Sequence, residues 1–325
     1  MSGDLGAEVV VRAAAAMLGK HTGVDLILVG DQSELQDLVT RIIGDSPRLS
    51  IQHASEVVGM SEPPAEALRK KKDSSMRVAI NLVKEGSADA CVSSGNTGAL
   101  MATAKFVLKT LPGVDRPAFI AELPAKGGSL HMLDLGANTE ATAEQLFQYA
   151  MMGTIVASAV VGIDRPRVAL LNIGAEDIKG NSTVKAAAAL LNESTLNYVG
   201  YIEGNDLFSG KADVVVTDGF TGNVALKTIE GAVGLVHHCL KRAFTRNWFS
   251  KLQALLASRV LKSLAVEMDS RNYNGATLVG LNGIVIKSHG GADSVAYEHS
   301  IDLAVVEVRN QLPQQIGTLL QKETE

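Results

Sequence analysis

The feature that most limits how this chain can fold is a pattern that occurs twice. Ala88-Asp89-Ala90-Cys91-Val92-Ser93-Ser94-Gly95-Asn96-Thr97-Gly98 is matched by Ala212-Asp213-Val214-Val215-Val216-Thr217-Asp218-Gly219-Phe220-Thr221-Gly222. In each copy a short apolar run, of the kind a buried parallel strand gives, stops at a Gly-x-Thr-Gly turn and leads into a helix-like stretch. The two glycines remove the Cβ that would obstruct a sharp turn. The helix then presents N–H groups and the positive end of its dipole, a seat for an anion built without charged side chains. In the first copy the seat draws on Gly95, Asn96, Thr97 and Gly98; in the second, on Asp218, Gly219, Thr221 and Gly222. Read alone, either copy also serves simply to close a tight turn. The repetition points to a small molecule carrying phosphate, or to one pocket assembled from both halves.

The strand-then-helix alternation recurs. Asp25–Gly30, Ser129–Leu135, Arg167–Ile173 and Gly283–Ser288 read as strands, followed by helices over Ser33–Ile43, Glu140–Met152, Thr183–Asn192 and Ser294–Gln311. This order predicts an α/β fold, a doubly wound, mostly parallel sheet with helices on both faces. In such sheets the loops after the strand carboxyl ends line one crevice, so the loops near residues 95, 137, 180, 220 and 290 are expected to converge. No linker or low-complexity segment divides the chain, which predicts a single domain over residues 1–325.

Composition narrows the function classes. The formal net charge of −5 argues against general nucleic-acid binding. The two cysteines, Cys91 and Cys239, lack metal-ligand spacing; Cys91 sits in an apolar strand as a small buried thiol, a usage that fits a reducing cytoplasm. Asp4 and Glu8 interrupt any signal-peptide pattern, and the run around Ile155–Ile163 is too short to span a bilayer. There is no P-loop, no Gly-x-Gly-x-x-Gly after the first strand, no Gly-x-Ser-x-Gly elbow and no zinc-ligand spacing.

One stretch breaks the alternation. Gly231–Val266 holds no acidic residue but contains Lys241, Arg242, Arg246, Lys251, Arg259 and Lys262. Phe244, Trp248, Leu252, Leu255, Leu256 and Val260 recur at three- and four-residue steps, as in an amphipathic helix. A basic amphipathic projection at about 237–268, anchored by Trp248, Leu252 and Leu256, suits an anionic membrane surface; packing on the body or at a dimer interface accounts for the same pattern.

Polar side chains gather on the expected crevice loops. They are Asn96 and Thr97; Asp218, Thr221 and Asn223; Asn138; Lys179, Asn181 and Ser182; and Lys287, Ser288 and His289. Lys179 follows and precedes glycine at close range, which suits a side chain reaching an anion, although a loop lysine is also commonly solvated. His289 precedes two glycines at a strand end, where it can donate a hydrogen bond, shuttle a proton or brace the loop.

These residues resemble a family. His53-Ala54-Ser55-Glu56, Arg69-Lys70-Lys71-Lys72-Asp73-Ser74-Ser75-Met76, Ser94-Gly95-Asn96-Thr97-Gly98-Ala99, Leu133-Asp134-Leu135-Gly136-Ala137-Asn138, Leu171-Asn172-Ile173-Gly174-Ala175-Glu176, Lys179-Gly180, Asp218-Gly219-Phe220-Thr221-Gly222-Asn223-Val224, Tyr273-Asn274-Gly275-Ala276 and Lys287-Ser288-His289-Gly290 follow in order. Over nearly its whole length the chain is similar to the PlsX-type phosphate acyltransferases of bacterial phospholipid synthesis. The resemblance implies transfer of a long-chain acyl group from the thioester of acyl carrier protein to inorganic phosphate, giving acyl phosphate. It further implies a Rossmann-like fold of the isocitrate-dehydrogenase and phosphotransacetylase group, a homodimer, and loose attachment to the cytoplasmic membrane beside a membrane-bound acyltransferase that accepts the acyl phosphate. It calls for no metal and no cofactor. The family usually opens with an apolar strand running into Asp-Ala-Met-Gly-Gly-Asp; Met1-Ser2-Gly3-Asp4 is the tail of that motif, so the first strand is expected to be missing.

In the expected mechanism bound phosphate attacks the thioester carbonyl directly, held by the two turns together with Lys179 or Lys287, and Asn138, Asn223 or His289 stabilises the oxyanion. The leaving thiolate, with a pKa of about 8.5, needs a general acid less than an alkoxide does; His289 is the candidate. Arg69, Lys70, Lys71 and Lys72 are expected to face the acidic carrier protein.

Overall fold

The computed structural model describes residues 3–261 and 269–322. Near the N-terminus, α1 (Ala7–Lys20), β1 (Leu26–Gly30), α2 (Gln32–Ile42) and β2 (Leu49–His53) make a small layer of their own. β1 and β2 pair in parallel, with Leu26 opposite Leu49, and Val11, Leu28, Leu35 and Val39 fill the space beneath the helices. The remaining elements are α3 (Pro64–Lys70), α4 (Ser75–Lys84), β3 (Ala90–Ser93), α5 (Thr97–Leu108), β4 (Ala118–Ala125), β5 (Gly128–Leu133), α6 (Ala143–Val156), β6 (Arg167–Leu171), α7 (Ser182–Glu193), β7 (Asn197–Ile202), β8 (Val214–Val216), α8 (Gly219–Thr245), α9 (Trp248–Leu256), β9 (Ala276–Val279), β10 (Ile284–Lys287), α10 (Ser294–Arg309) and α11 (Leu312–Lys322).

Eight strands form one sheet in the order β3-β10-β9-β4-β5-β8-β6-β7. Their side chains alternate between two buried faces, as the period of two requires. Phe119, Ala121 and Leu123 of β4 meet α4, α5 and the start of α8, whereas Ala118 and Ile120 meet α6, α7 and α11. The fold is therefore the expected α/β/α sandwich. Among the described residues, four of the seven pairings in this sheet are parallel.

The three antiparallel pairings overturn one expectation. β9 runs against both β10 and β4, and β4 runs against β5. Thus β3, β10 and β4 point one way, and β9, β5, β8, β6 and β7 the other. The loops near 95 and 290 leave one edge of the sheet, and those near 137, 180 and 220 leave the opposite edge. They do not converge on a single crevice. The physical reason lies in β4 and β9, which lack the strand-to-helix sequence signature and reverse the strand direction at the middle of the sheet.

A buried carboxylate fixes α8 onto this framework. Asp134 is fully buried just after β5. Its Oδ1 accepts from the backbone N–H groups of Phe119, Gly136 and Ala137 at 2.9–3.1 Å, and its Oδ2 from the backbone and side chain of Asn138 at 2.7 and 3.0 Å. Burial raises its pKa, and these donors act in the opposite direction. The first turn of α8 lies directly on this loop: Gly219 donates its N–H to the Asn138 carbonyl at 2.7 Å. A Cβ on Gly222 would overlap the Asp134 carbonyl oxygen. None of the four Gly-x-Thr-Gly glycines has positive φ, so close approach, and not turn geometry, is what requires glycine at Gly222.

Gly222→Ala is therefore expected to destabilise the chain by about 3 kcal/mol, the upper end of a typical overpacking cost. A denaturant titration checks this, and Gly231→Ala, where a Cβ meets nothing within 4 Å, serves as the reference.

Candidate active site

At the first turn the chain builds an open, electropositive seat. Asn96 caps α5: its Oδ1 accepts from the Ala99 N–H at 3.0 Å. Its amide donates to the carbonyls of Met60 and Glu62 at 2.8 and 3.0 Å, tying the turn to the loop before α3. Asn96 thus holds the turn and keeps no amide N–H for a ligand. The cap is neutral, so no cap carboxylate compensates the dipole of α5 or the Thr97 and Gly98 N–H groups. Pro64 covers Gly98 closely enough that a Cβ there would lie 2.8 Å from Cγ. Gly95 is buried, its N–H turned to Ser93 Oγ at 3.2 Å.

Lys287 ends β10 beside β3 and lies half-buried at this turn. Its Nζ donates to the Ser94 carbonyl at 3.4 Å and to the Ser288 carbonyl. Burial pulls its pKa down to about 8; Asp4 opposes that shift and Lys227 of α8 adds to it, so a second cation faces the same space. Asp4 arrives from the N-terminal segment, its N–H on the Gly290 carbonyl at 2.9 Å. His289 is exposed, and its Nδ1 accepts the Gly291 N–H at 3.1 Å. A neutral ring held this way carries its proton on Nε2, as a donor facing outward.

Asn274 holds the Ser288–His289 loop. Its side chain donates to Ser288 Oγ, Ser300 Oγ and the Ala296 carbonyl at 2.7–2.9 Å and accepts the His289 N–H at 3.0 Å. Sequence reasoning passed over Asn274, Asp4 and Lys227 as site residues. The Tyr-Asn-Gly run around Asn274 was the one available signal.

The second turn is built differently. Asp218 caps α8, its carboxylate accepting the Thr221 N–H and Oγ1–H, each at 2.8 Å. With Gly219 N–H already on Asn138, the protein's own acceptors occupy most of this seat. Asn138 is buried, and its amide is committed to the Pro117 carbonyl, Asp134 Oδ2 and Tyr149 OH at 2.8–3.0 Å. The geometry thus gives Asn138 a positioning role in place of the expected oxyanion contact. Asn223 is exposed against Gly136. Asn181 caps α7 through the Val184 N–H at 2.8 Å. Lys179 is exposed on the loop after β6, which also carries Ile173 and Ile178, each 80 % exposed. Lys179, Asn181, Asn138, Asn223, Asp218, Gly219, Thr221 and Gly222 thus share the edge opposite Lys287 and His289.

Of the basic run, Arg69, Lys70 and Lys72 are exposed beside α3, which packs on α5. Lys71 is committed inward, to the Val57 carbonyl at 2.5 Å and to Glu62 at 2.8 Å.

The sheet order and the inserted antiparallel strands define a three-layer α/β protein built on a mixed sheet. In fold, the chain is similar to a phosphotransacetylase from Streptococcus pyogenes (TM-score 0.62, 19% identity, 94% of this chain and 92% of that one). It is similar too to a branched-chain phosphotransacylase from Enterococcus faecalis (TM-score 0.57, 15% identity, 94% and 97% covered). Residues 1–315 match the family described as fatty acid synthesis protein. The phosphate acyltransferases of Alkalilimnicola ehrlichii and Nitrosococcus oceani are 56% and 55% identical to it over 322 residues, covering 99% of this chain and 94% and 95% of theirs. The chain belongs to this family of PlsX-type phosphate acyltransferases, enzymes of lipid synthesis that use phosphate as a substrate.

The depressed Lys287 sets a pH dependence. Its ammonium form, the form that would attract a phosphate, is lost as pH rises through about 8. If phosphate binds that form, KM for phosphate is expected to about double between pH 7 and 8 and to rise about tenfold per unit well above it. Steady-state kinetics at fixed ionic strength checks this; Lys287→Met should start from a higher KM and show no break near pH 8.

Proposed function

We propose that this enzyme transfers a long-chain acyl group from acyl carrier protein to inorganic phosphate, supplying acyl phosphate for phosphatidic acid synthesis. The observation that carries the reading is the neutral, Asn-capped head of α5 with Lys287 against it. In our reading phosphate rests on the Thr97 and Gly98 N–H groups with Lys287 as counter-charge. One phosphate oxygen attacks the thioester carbon; the C–S bond then breaks and the thiolate takes a proton. His289 Nε2–H serves as donor to the oxyanion, and no protein nucleophile is required. Lys179, a cation on a loop that also exposes Ile173 and Ile178, suits the acyl donor or product, an apolar chain with a charged head. Arg69, Lys70 and Lys72 face the acidic carrier protein.

The assay is acyl-acyl-carrier-protein plus phosphate, with the product identified by mass. Acyl phosphate is expected, at a rate far above that with acyl-CoA; a clear preference for short-chain acyl-CoA would overturn the reading. Glutamate at Arg69, Lys70 and Lys72 together should raise KM for the carrier protein about tenfold or more at low salt and leave KM for phosphate unchanged.

We further propose a homodimer that rests on the cytoplasmic face of a membrane next to the acceptor acyltransferase. Among its 27 residues α8 buries only Gly219 and Gly222. Beyond it, Trp248, Leu252, Leu255 and Leu256 of α9 are exposed, as are Lys241, Arg242, Arg246, Lys251 and Arg259. Lys262 and the end of the expected projection lie outside the described residues. Among the described residues no helix is long and apolar enough to cross a membrane. Each basic residue near an anionic surface contributes about 1 kcal/mol. Trp248→Glu with Leu252→Glu is expected to abolish flotation with anionic liposomes while leaving dimer mass and soluble turnover intact. Monomers that still float would reverse the assignment of these residues.

A further inference from the structure

On the sheet face opposite α5, between α10 and the strands β4, β5 and β9, lies a cavity of about 170 Å³. Its wall includes Glu122, His131, Asn274, His299, Asp302 and Glu307, and none of its lining residues is lysine or arginine. Two buried polar atoms here have no hydrogen-bond partner. One is Oε2 of Glu307, a fully buried residue whose Oε1 accepts from Thr277 Oγ1 at 2.5 Å; the other is Nδ1 of His131, which is 3 % exposed. An unpartnered buried acceptor costs roughly 1–3 kcal/mol, and a charged one more. Lys20 at 2.6 Å and His21 at 2.8 Å are engaged by Asp302, which is itself only an acceptor, so none of the three supplies the missing donor.

We infer that this cavity binds a small organic ammonium ion, its N–H groups donated to Glu307 Oε2 and to the neutral His131 Nδ1, with Glu122 as a further counter-charge. The carboxylate excess selects against anions, and Leu303 and Val306 on the same wall accommodate a short alkyl part. Burial alone pushes Glu307 up to about 8 and holds His131 below the usual imidazole range. An ammonium ion therefore meets a ready acceptor at His131 and supplies the counter-charge that Glu307 lacks. The wall it shares with the described site is Asn274, whose side chain holds Ser288 and His289.

Isothermal titration of the full chain with 1,4-diaminobutane tests this, with butane-1,4-diol as the uncharged probe and sodium chloride at matched ionic strength as the control. Saturable binding of the diamine alone is expected. Glu307→Gln, an isosteric replacement for the neutral acid, should weaken it about ten- to hundredfold, as loss of a charged hydrogen bond does. Glu122→Gln should weaken it to a lesser degree, and decides the matter if the Glu307 variant does not fold. No saturable binding, equal binding of the diol, or undiminished affinity in the variants would overturn the inference.

Discussion

The Asp134 carboxylate is the contact on which the middle of the molecule depends. Five N–H groups converge on it, from the start of β4, from its own loop and from Asn138. Asn138 extends the knot to α6 through Tyr149 OH and to α8 through Gly219 N–H. One buried charge thereby positions a strand, a loop and two helices. A buried carboxylate is tolerable only where its lone pairs are met, and here backbone donors meet them without a countercharge. That arrangement also explains the small residues around it. Gly136 takes a φ of 125°, which side-chain-bearing residues rarely adopt, and Gly219 and Gly222 let α8 start against the carboxylate loop.

Much of the architecture was legible because burial writes itself into sequence. Val168–Leu170 and Val214–Val216 are apolar on both faces, so their strands and parallel pairing could be read directly. β4 and β9 were not legible. β4 holds Glu122 and Pro124 and runs straight into a hairpin with no helix after it, and β9 is four residues long after a glycine. Neither looks like half of a strand-to-helix unit, yet they reverse the sheet. Local pattern reports which residues are buried; it does not report strand direction, which depends on crossovers settled by tertiary packing. The polar segments near 95, 137, 180, 220 and 290 do lie at strand ends, but the reversal sends them to opposite edges of the sheet.

The two Gly-x-Thr-Gly copies show how one side chain can decide what a repeated motif does. Both turns open a helix, and both place an Asx residue at the cap. Asn96 is neutral and spends its second group on neighbouring carbonyls, so the positive end of α5 is left for something else. Asp218 brings a negative charge to the same position in α8 and takes two donors from Thr221. An anion approaching the second turn meets the cap carboxylate; at the first it meets a neutral cap and Lys287, with Asp4 beside that lysine. The difference was present in the sequence as Asn against Asp, but its meaning depends on knowing that each side chain folds back onto its own helix. Lys287 was read correctly as a strand-end cation, whereas its depressed pKa depends on burial that only the packed structure supplies.

α8 stands apart from this logic. A 27-residue helix is about 40 Å long, yet only its first turns contact the sheet, through Ala225, Leu226 and Ile229. Past that point Leu235, Val236 and Leu240 are exposed, and the trend increases into α9, where Leu256 is 80 % and Trp248 78 % exposed. Isolated apolar side chains on a surface need no explanation, but a continuous series along two successive helices does. The composition changes along it as well: the exposed residues near the body are aliphatic with Glu230 among them, whereas those from Lys241 onward are interleaved with cations only. An interface with a second protein copy favours the former, in which both charge signs occur and area is the main driving force. A surface of anionic lipid favours the latter. On the proposed reading the two contacts would use different parts of one helical arm, the dimer its root and the membrane its tip, and need not compete for the same residues.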